Sequence, residues 1–223
     1  MTPIIDQTVE LFSGPKIFSS LAQALGYRTL TVDRDGASEP NIVADVRSLD
    51  TAVLPAKPLI VWAAPPDSAF NEPSLELHWD QYGTPLSPAA EEAMETFRAT
   101  LTVLTAIQPK WWFIENPYGP LRHFTLMSGF NRGYPTRNRV TIDHADYGAV
   151  PSFRTDVWTN AFWWQPGKEA VSRIARRPVN AKVQPIAESG RRLPAPAVAE
   201  MLNQLDAYQR TVPSAYVSPE LNG

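Results

Sequence analysis

Trp111-Trp112-Phe113-Ile114-Glu115-Asn116-Pro117 is the stretch whose reading decides the fold. Four large apolar residues follow the polar, proline-bearing Ile107-Gln108-Pro109-Lys110 and read as a short strand buried on both faces. The run stops on an acid, an amide and a proline. Open α/β sheets place their ligand crevice at the carboxyl ends of strands, which is where Glu115 falls. A solvated loop acid is the plainer alternative. Leu59-Ile60-Val61-Trp62 ends the same way, in Ala63-Ala64-Pro65-Pro66-Asp67. Two buried strands that each open into a proline-and-acid loop point to one shared site.

Working outward, residues 8–12 form a short β-rich run broken by Ser13-Gly14-Pro15. Residues 16–25 put Ile17, Phe18, Leu21, Ala22 and Leu25 on one helical face, with Gly26 as a carboxyl-terminal cap. Residues 28–32 alternate as a second strand that ends on Asp33. Strand, glycine turn, helix, strand and acid is the opening of a doubly wound nucleotide-binding unit, whose acid accepts from ribose hydroxyls. A simple Asp33-Arg34-Asp35-Gly36 turn competes with that reading. Residues 41–46 read as a third strand carrying Asp45, and 59–62 as a fourth. The long segment 67–88 holds Phe70, His78, Trp79 and Tyr82, too many rings for a disordered linker. Residues 88–107 read as a helix, with Glu91 and Glu92 at its positive end and Ala93, Phe97, Leu101 and Leu104 inward. Past Pro117, residues 119–136 are irregular, and 139–147 and 155–160 read as an antiparallel edge hairpin. A basic segment (161–193), a last helix (195–208) and a tail (209–223) complete the chain. The alternation predicts an α/β fold with a mostly parallel sheet in one domain over 1–223.

Composition narrows the function. No apolar run among the 223 residues approaches about 20, and Met1-Thr2-Pro3-Ile4-Ile5-Asp6 lacks the basic and apolar regions of a signal peptide. The absence of cysteine excludes disulfides, thiolate metal sites and a cysteine nucleophile. His78, His123 and His144 are too scattered to predict a metal site. The net charge of −3 hides an asymmetry: residues 122–192 carry twelve Lys/Arg against five Asp/Glu, so +7 there and −10 elsewhere. Such a basic region suits a phosphate-binding face or an ordinary solvated surface.

With these residues placed, the chain resembles the cytosine-5 DNA methyltransferases, most closely the small phage-borne members that lack a large target-recognition domain. Glu10-Leu11-Phe12-Ser13-Gly14 looks like their first motif, at the turn that holds S-adenosylmethionine. Asp33 corresponds to the acid on the cofactor ribose, and Asp45 to the acid near the adenine ring. Pro65, Pro66 and Asp67 stand in the family's nucleophile loop, with Pro65 toward cofactor and Pro66 toward substrate. Phe113-Ile114-Glu115-Asn116-Pro117 matches the motif whose Glu holds the ring nitrogen and amino group of a flipped cytosine. Tyr147-Gly148 and the run from Arg154 to Asn160 resemble the two edge strands, and Arg192-Leu193-Pro194 the entry to the last helix. The resemblance implies a Rossmann-like class I S-adenosylmethionine-dependent methyltransferase fold, with a DNA or nucleotide partner and no metal. It also implies the cytoplasm of a bacterial host. Arg122 is placed to meet a phosphate or an acid of the site, and Arg154 to support the substrate carboxylate.

The departures fall on the chemistry. The family adds a thiolate to cytosine carbon 6, and Asp67 stands in the thiol's place in a chain with no cysteine. Lys16 stands where a second glycine would let backbone approach the cofactor. Two readings follow. In the first, the protein binds S-adenosylmethionine and a base, with Asp67, Glu115 and Asn116 as the catalytic set and Phe70, Trp79 or Tyr82 stacking. In the second, it is an inactive relative that binds DNA or a protein partner through its basic segment.

Overall fold

The computed structural model describes residues 7–70, 75–124, 137–149, 153–167 and 192–211. The irregular segment 125–136, most of the basic segment (168–191) and the tail from 212 onward lie outside the described residues.

Seven strands form one sheet: β1 (Gln7–Leu11), β2 (Arg28–Asp33), β3 (Ile42–Val43), β4 (Ile60–Ala63), β5 (Trp111–Pro117), β6 (Arg137–Asp143) and β7 (Arg154–Thr159). Their spatial order is β3-β2-β1-β4-β5-β7-β6. The first five are parallel, while β7 runs antiparallel to both β5 and β6. Strand order reverses between β1 and β4, the switch point beside which open sheets bind ligands.

Each sheet face is covered by helices whose sequence spacing suits it. Helix α1 (Ile17–Ala24) lays Phe18, Leu21 and Ala22 on one face, beside Val198, Met201, Leu202 and Leu205 of the last helix, α4 (Ala195–Thr211). Trp62, Phe113 and Val157 supply the sheet side of that core. A short helix, α2 (Leu75–His78), follows the loop after β4, and α3 (Pro88–Ile107) covers the opposite face. There Phe97, Leu101 and Leu104 meet Val9, Leu11, Val61, Trp112 and Ile114. Ser87 caps α3 by accepting from Ala90 N, Pro88 opens it, and Gln108 ends it in a left-handed conformation. Truncating the fully buried Phe97 to Ala would cost about 3–5 kcal/mol.

The strands differ from the sequence reading at their ends, for one recurrent reason. The third strand stops at Val43, not Val46, because the Asp45 side chain accepts from Arg47 N and turns the chain into a 3-10 helix. The sixth stops at Asp143, whose carboxylate likewise accepts from Ala145 N and opens the turn His144–Tyr147. The long segment after Asp67 contains α2 and a bridge between Trp79 and Pro85, and the last helix continues to Thr211.

Candidate functional site

Register puts two acids on the α1/α4 face. Glu10 of β1 aligns with Trp62 of β4, which aligns with Phe113 of β5, and Glu115 lies two residues beyond Phe113 on the same face. Trp62 stacks between Phe18 and Phe113, with ring centroids 5.4 Å away on each side. These rings wall the carboxyls off from water: Glu10 is 2% and Glu115 4% exposed. Glu10 Oε2 accepts from Ser19 N at 3.0 Å, satisfying a backbone donor in the first turn of α1. Glu115 Oε2 accepts from Leu193 N at 3.3 Å.

Burial drives the protonation of both. Desolvation raises Glu10 to about 7, against the opposing pull of its Ser19 hydrogen bonds and of Arg192. It raises Glu115 to about 7 as well; the charges of Glu10 and Asp67 push the same way and the Arg192 guanidinium pulls back. Arg192 lines the same small cavity as both acids. Its Nη1 donates to Phe12 O at 3.0 Å, and a Cβ on Gly14 would lie 3.5 Å from its Nη2. With Glu10, Glu115, Phe18, Trp62 and Leu193 it lines a cavity the size of about one water molecule. One guanidinium facing two carboxyls in an apolar wall leaves a surplus negative charge unless one acid keeps its proton.

The turn after β1 is strained and tied to β2. Phe12 and Lys16 have φ of 59° and 56°, a region where non-glycine residues cost about 1–3 kcal/mol. Gly14, at φ 39°, donates its N–H to Asp33 Oδ2 at 2.8 Å, and Asp33 Oδ1 accepts from Asp35 N at 2.8 Å. Asp33 is thus both the acid at the end of β2 and the latch of the glycine turn. Lys16 reaches Glu39 O at 2.6 Å. Ser13 is fully buried, and its Oγ has no partner among the described residues.

Asp67 follows β4, part-exposed, after a buried Pro65 and an exposed Pro66; Phe70 N donates to Asp67 O at 2.8 Å. Gly119 joins this loop to the one after β5, since a Cβ there would lie 2.8 Å from Phe70 O. The structure brings Asp67 within electrostatic reach of Glu115 but sends Asn116 to the opposite face, where it aligns with Asp156. Asn116 is 1% exposed, and neither end of its amide has a partner among the described residues. Asp45 is engaged by Arg47 through Nε and Nη2, which holds its carboxyl down at about 2. Arg122 pairs with Asp156, on the sheet face opposite Glu115 rather than with an acid of the crevice, and Arg154 lies over Tyr118 rather than behind Glu115. Of the three candidate stacking rings, Phe70 and Trp79 are buried and stacked on each other, whereas Tyr82 is 83% exposed. Arg192 is the site residue that sequence reading did not nominate. Its only signal was an Arg-Arg pair just before a proline-led helix.

No protein-family profile and no curated protein matches the chain. Among solved structures, it is similar to a protein described as a DNA modification methyltransferase encoded within an Escherichia coli prophage. The TM-score is 0.50 at 15% identity, covering 69% of this chain and 45% of that one. The fold is that of the Rossmann-like S-adenosylmethionine-dependent methyltransferases. The Entamoeba histolytica methyltransferase EhMeth overlaps it with a TM-score of 0.49 at 14% identity, covering 72% of this chain and 54% of that one. The S. pombe Dnmt2 methyltransferase gives 0.48 at 12%, covering 69% and 48%. The chain spans about half the length of these methyltransferases. Among the described residues no group of three His, Asp or Glu side chains is placed to hold a metal, and no helix is long and apolar enough to cross a membrane.

Proposed function

We propose that the protein is an S-adenosylmethionine-dependent methyltransferase that acts on a nucleobase, in DNA or in a nucleotide, without cysteine chemistry. The observation that carries this reading is Glu115. A carboxyl held near neutrality by burial can donate its proton to a ring nitrogen while its second oxygen accepts from an exocyclic amine. Asp67, part-exposed at the lip of the same crevice, accepts an amine N–H and takes up the proton released when that nitrogen is alkylated. Tyr82 is the ring left free to stack on a base.

The residues suit the cofactor in kind. The orphaned Ser13 Oγ, the Gly14 turn and the Asp33 carboxylate, which retains lone pairs beyond its two backbone bonds, would hold it together with Glu10. When bound, the cofactor supplies an electrophilic methyl group. Arg192 lies against Gly14, so entry requires that guanidinium to swing away from Phe12 O. Asp45 would have to leave Arg47 to serve an adenine ring.

The test is a methyl-transfer screen on single-stranded DNA, duplex DNA and nucleotides, with Asp67→Ala as the control. Transfer by the natural protein, abolished in Asp67→Ala with cofactor affinity nearly unchanged, is the expected result. Retained turnover in the variant removes Asp67 from the mechanism.

A further inference from the structure

On the α3 face, at the crevice end of the sheet, stands a second charged assembly that the methyl-transfer chemistry does not use. Asp156 of β7 is fully buried and sits in register between Asn116 of β5 and Thr141 of β6. Arg122 binds it through two nitrogens, Nε to Oδ2 at 2.9 Å and Nη2 to Oδ1 at 2.7 Å. Thr141 donates to the same Oδ1 at 2.6 Å and accepts from Arg122 Nη2 at 3.0 Å. The carboxylate is spent on Arg122, whose side chain is only 12% exposed. That pair builds a floor for the next layer. The Arg122 guanidinium lies 3.8 Å from the centroid of the Tyr118 ring, and the Arg154 guanidinium lies over the same ring, also at 3.8 Å. Tyr118 N donates to Arg154 O at 2.9 Å, locking the two backbones together.

Arg154 is exposed, and among the described residues its guanidinium has no carboxylate within ion-pair distance. Asp143 aligns with it across the β6–β7 ladder but turns one oxygen to Ala145 N. Arg139, one-third exposed, approaches Asp156 Oδ1 at 3.8 Å. Among the described residues, the guanidiniums of Arg122, Arg139 and Arg154 outnumber the two carboxylates beside them, Asp156 and Asp143. Stacking on Tyr118 fixes a side chain that otherwise loses about 2 kcal/mol of rotamer entropy on binding, and leaves the N–H rim facing solvent.

We propose that Arg154, held on the Tyr118–Arg122–Asp156 stack, is a phosphate seat for the substrate. Its backbone is bonded to Tyr118, three residues beyond Glu115 and at the same end of the sheet, so a phosphate here belongs to the nucleotide whose base enters the crevice or to its neighbour in a strand. The assignment rests on the nucleobase reading for the substrate class but not on methyl transfer. A free nucleotide and a strand backbone present the same phosphate chemistry, and the test separates them.

The test is fluorescence anisotropy of a labelled single-stranded oligonucleotide with the full chain, without cofactor, over a series of salt concentrations. Unlabelled nucleoside monophosphate serves as competitor. Arg154→Gln, an exposed substitution, weakens binding about 5–10-fold and reduces the salt slope by about one. Arg28→Gln, an equal charge loss at the amino end of β2, leaves both unchanged. Competition by the monophosphate at concentrations near the oligonucleotide's own Kd assigns the seat to free nucleotide; weak competition assigns it to a strand. If the natural protein binds and Arg154→Gln binds equally well, or if Arg28→Gln weakens it as much, the seat is wrong and the nucleobase reading stands. If neither probe binds the natural protein, both fail.

Discussion

Glu115 and Asp156 stand one strand apart, both shut off from water, on opposite faces of the same sheet. Asp156 receives two guanidinium nitrogens and a hydroxyl, all within 3.0 Å. Among the described residues Glu115 receives one backbone N–H at 3.3 Å, and the Arg192 guanidinium that pulls on it also pulls on Glu10. A buried carboxylate with a full set of donors fixes geometry; one short of donors holds a proton near neutral pH. The α3 face thus carries a rigid ionic floor, and the α1/α4 face carries acids whose charge state is open to a ligand.

Arg122→Ala leaves the buried Asp156 with the Thr141 hydroxyl and the more distant Arg139 in place of its closest cation, which costs about 3 kcal/mol. Urea denaturation would register it as a lower midpoint, and a loss below about 1 kcal/mol would mean that Asp156 finds another partner.

The chemical side responds to pH. Glu10 and Glu115 take up protons on folding, because burial lifts both from 4.5 to about 7. Their share of stability is complete below the unfolded value and is lost as pH rises through about 7, a fall of a few kcal/mol. Glu115→Gln should reduce the difference in unfolding free energy between pH 5 and pH 8 by about half. An unchanged difference would show that Glu115 is already ionised in the folded protein.

Arg192→Ala sharpens the contrast at smaller cost. Its bond to Phe12 O is part-buried, so about 1 kcal/mol of stability is lost; because Arg192 pulls both acids down, its removal raises them further, and the fall in stability with pH deepens and extends to higher pH. Thermal melts at pH 6 and pH 8 would show a larger loss at pH 8; equal losses would mean that Arg192 does not neutralise the acids. Lys16→Gly has the smallest effect. It relieves a left-handed non-glycine residue but gives up the bond to Glu39 O, for a net gain of about 0.5 kcal/mol. A destabilised variant would show that the Lys16 bond outweighs the strain.

Much of the frame was legible in the sequence because buried parallel strands and proline-led helices leave strong local patterns. The Trp111 strand, the helix opening at Pro88 and the edge pair of strands are read from residues close together in the chain. The strand ends were misread where an Asp side chain captured a backbone N–H, at Asp45 and Asp143, although the Asp residues themselves were the signal. Asn116 was grouped with Glu115 when strand alternation already set them on opposite faces. The partners of Asp156 and Glu115 were not legible. Arg122 lies 34 residues from Asp156, and Arg192, which faces Glu10 and Glu115, comes from the far end of the fold. Only the folded chain, with the loops after β5 and before α4 packed on the sheet, brings them together.

The crevice beside Glu10, Ser13, Gly14 and Asp33 is the cofactor site proposed above. Calorimetric titration with S-adenosylmethionine tests it most directly, run in parallel on the natural protein and on Arg192→Ala. Micromolar binding to the natural protein, about −8 kcal/mol, is expected, and tighter binding once the guanidinium no longer has to move. No heat at millimolar ligand with either protein would contradict it.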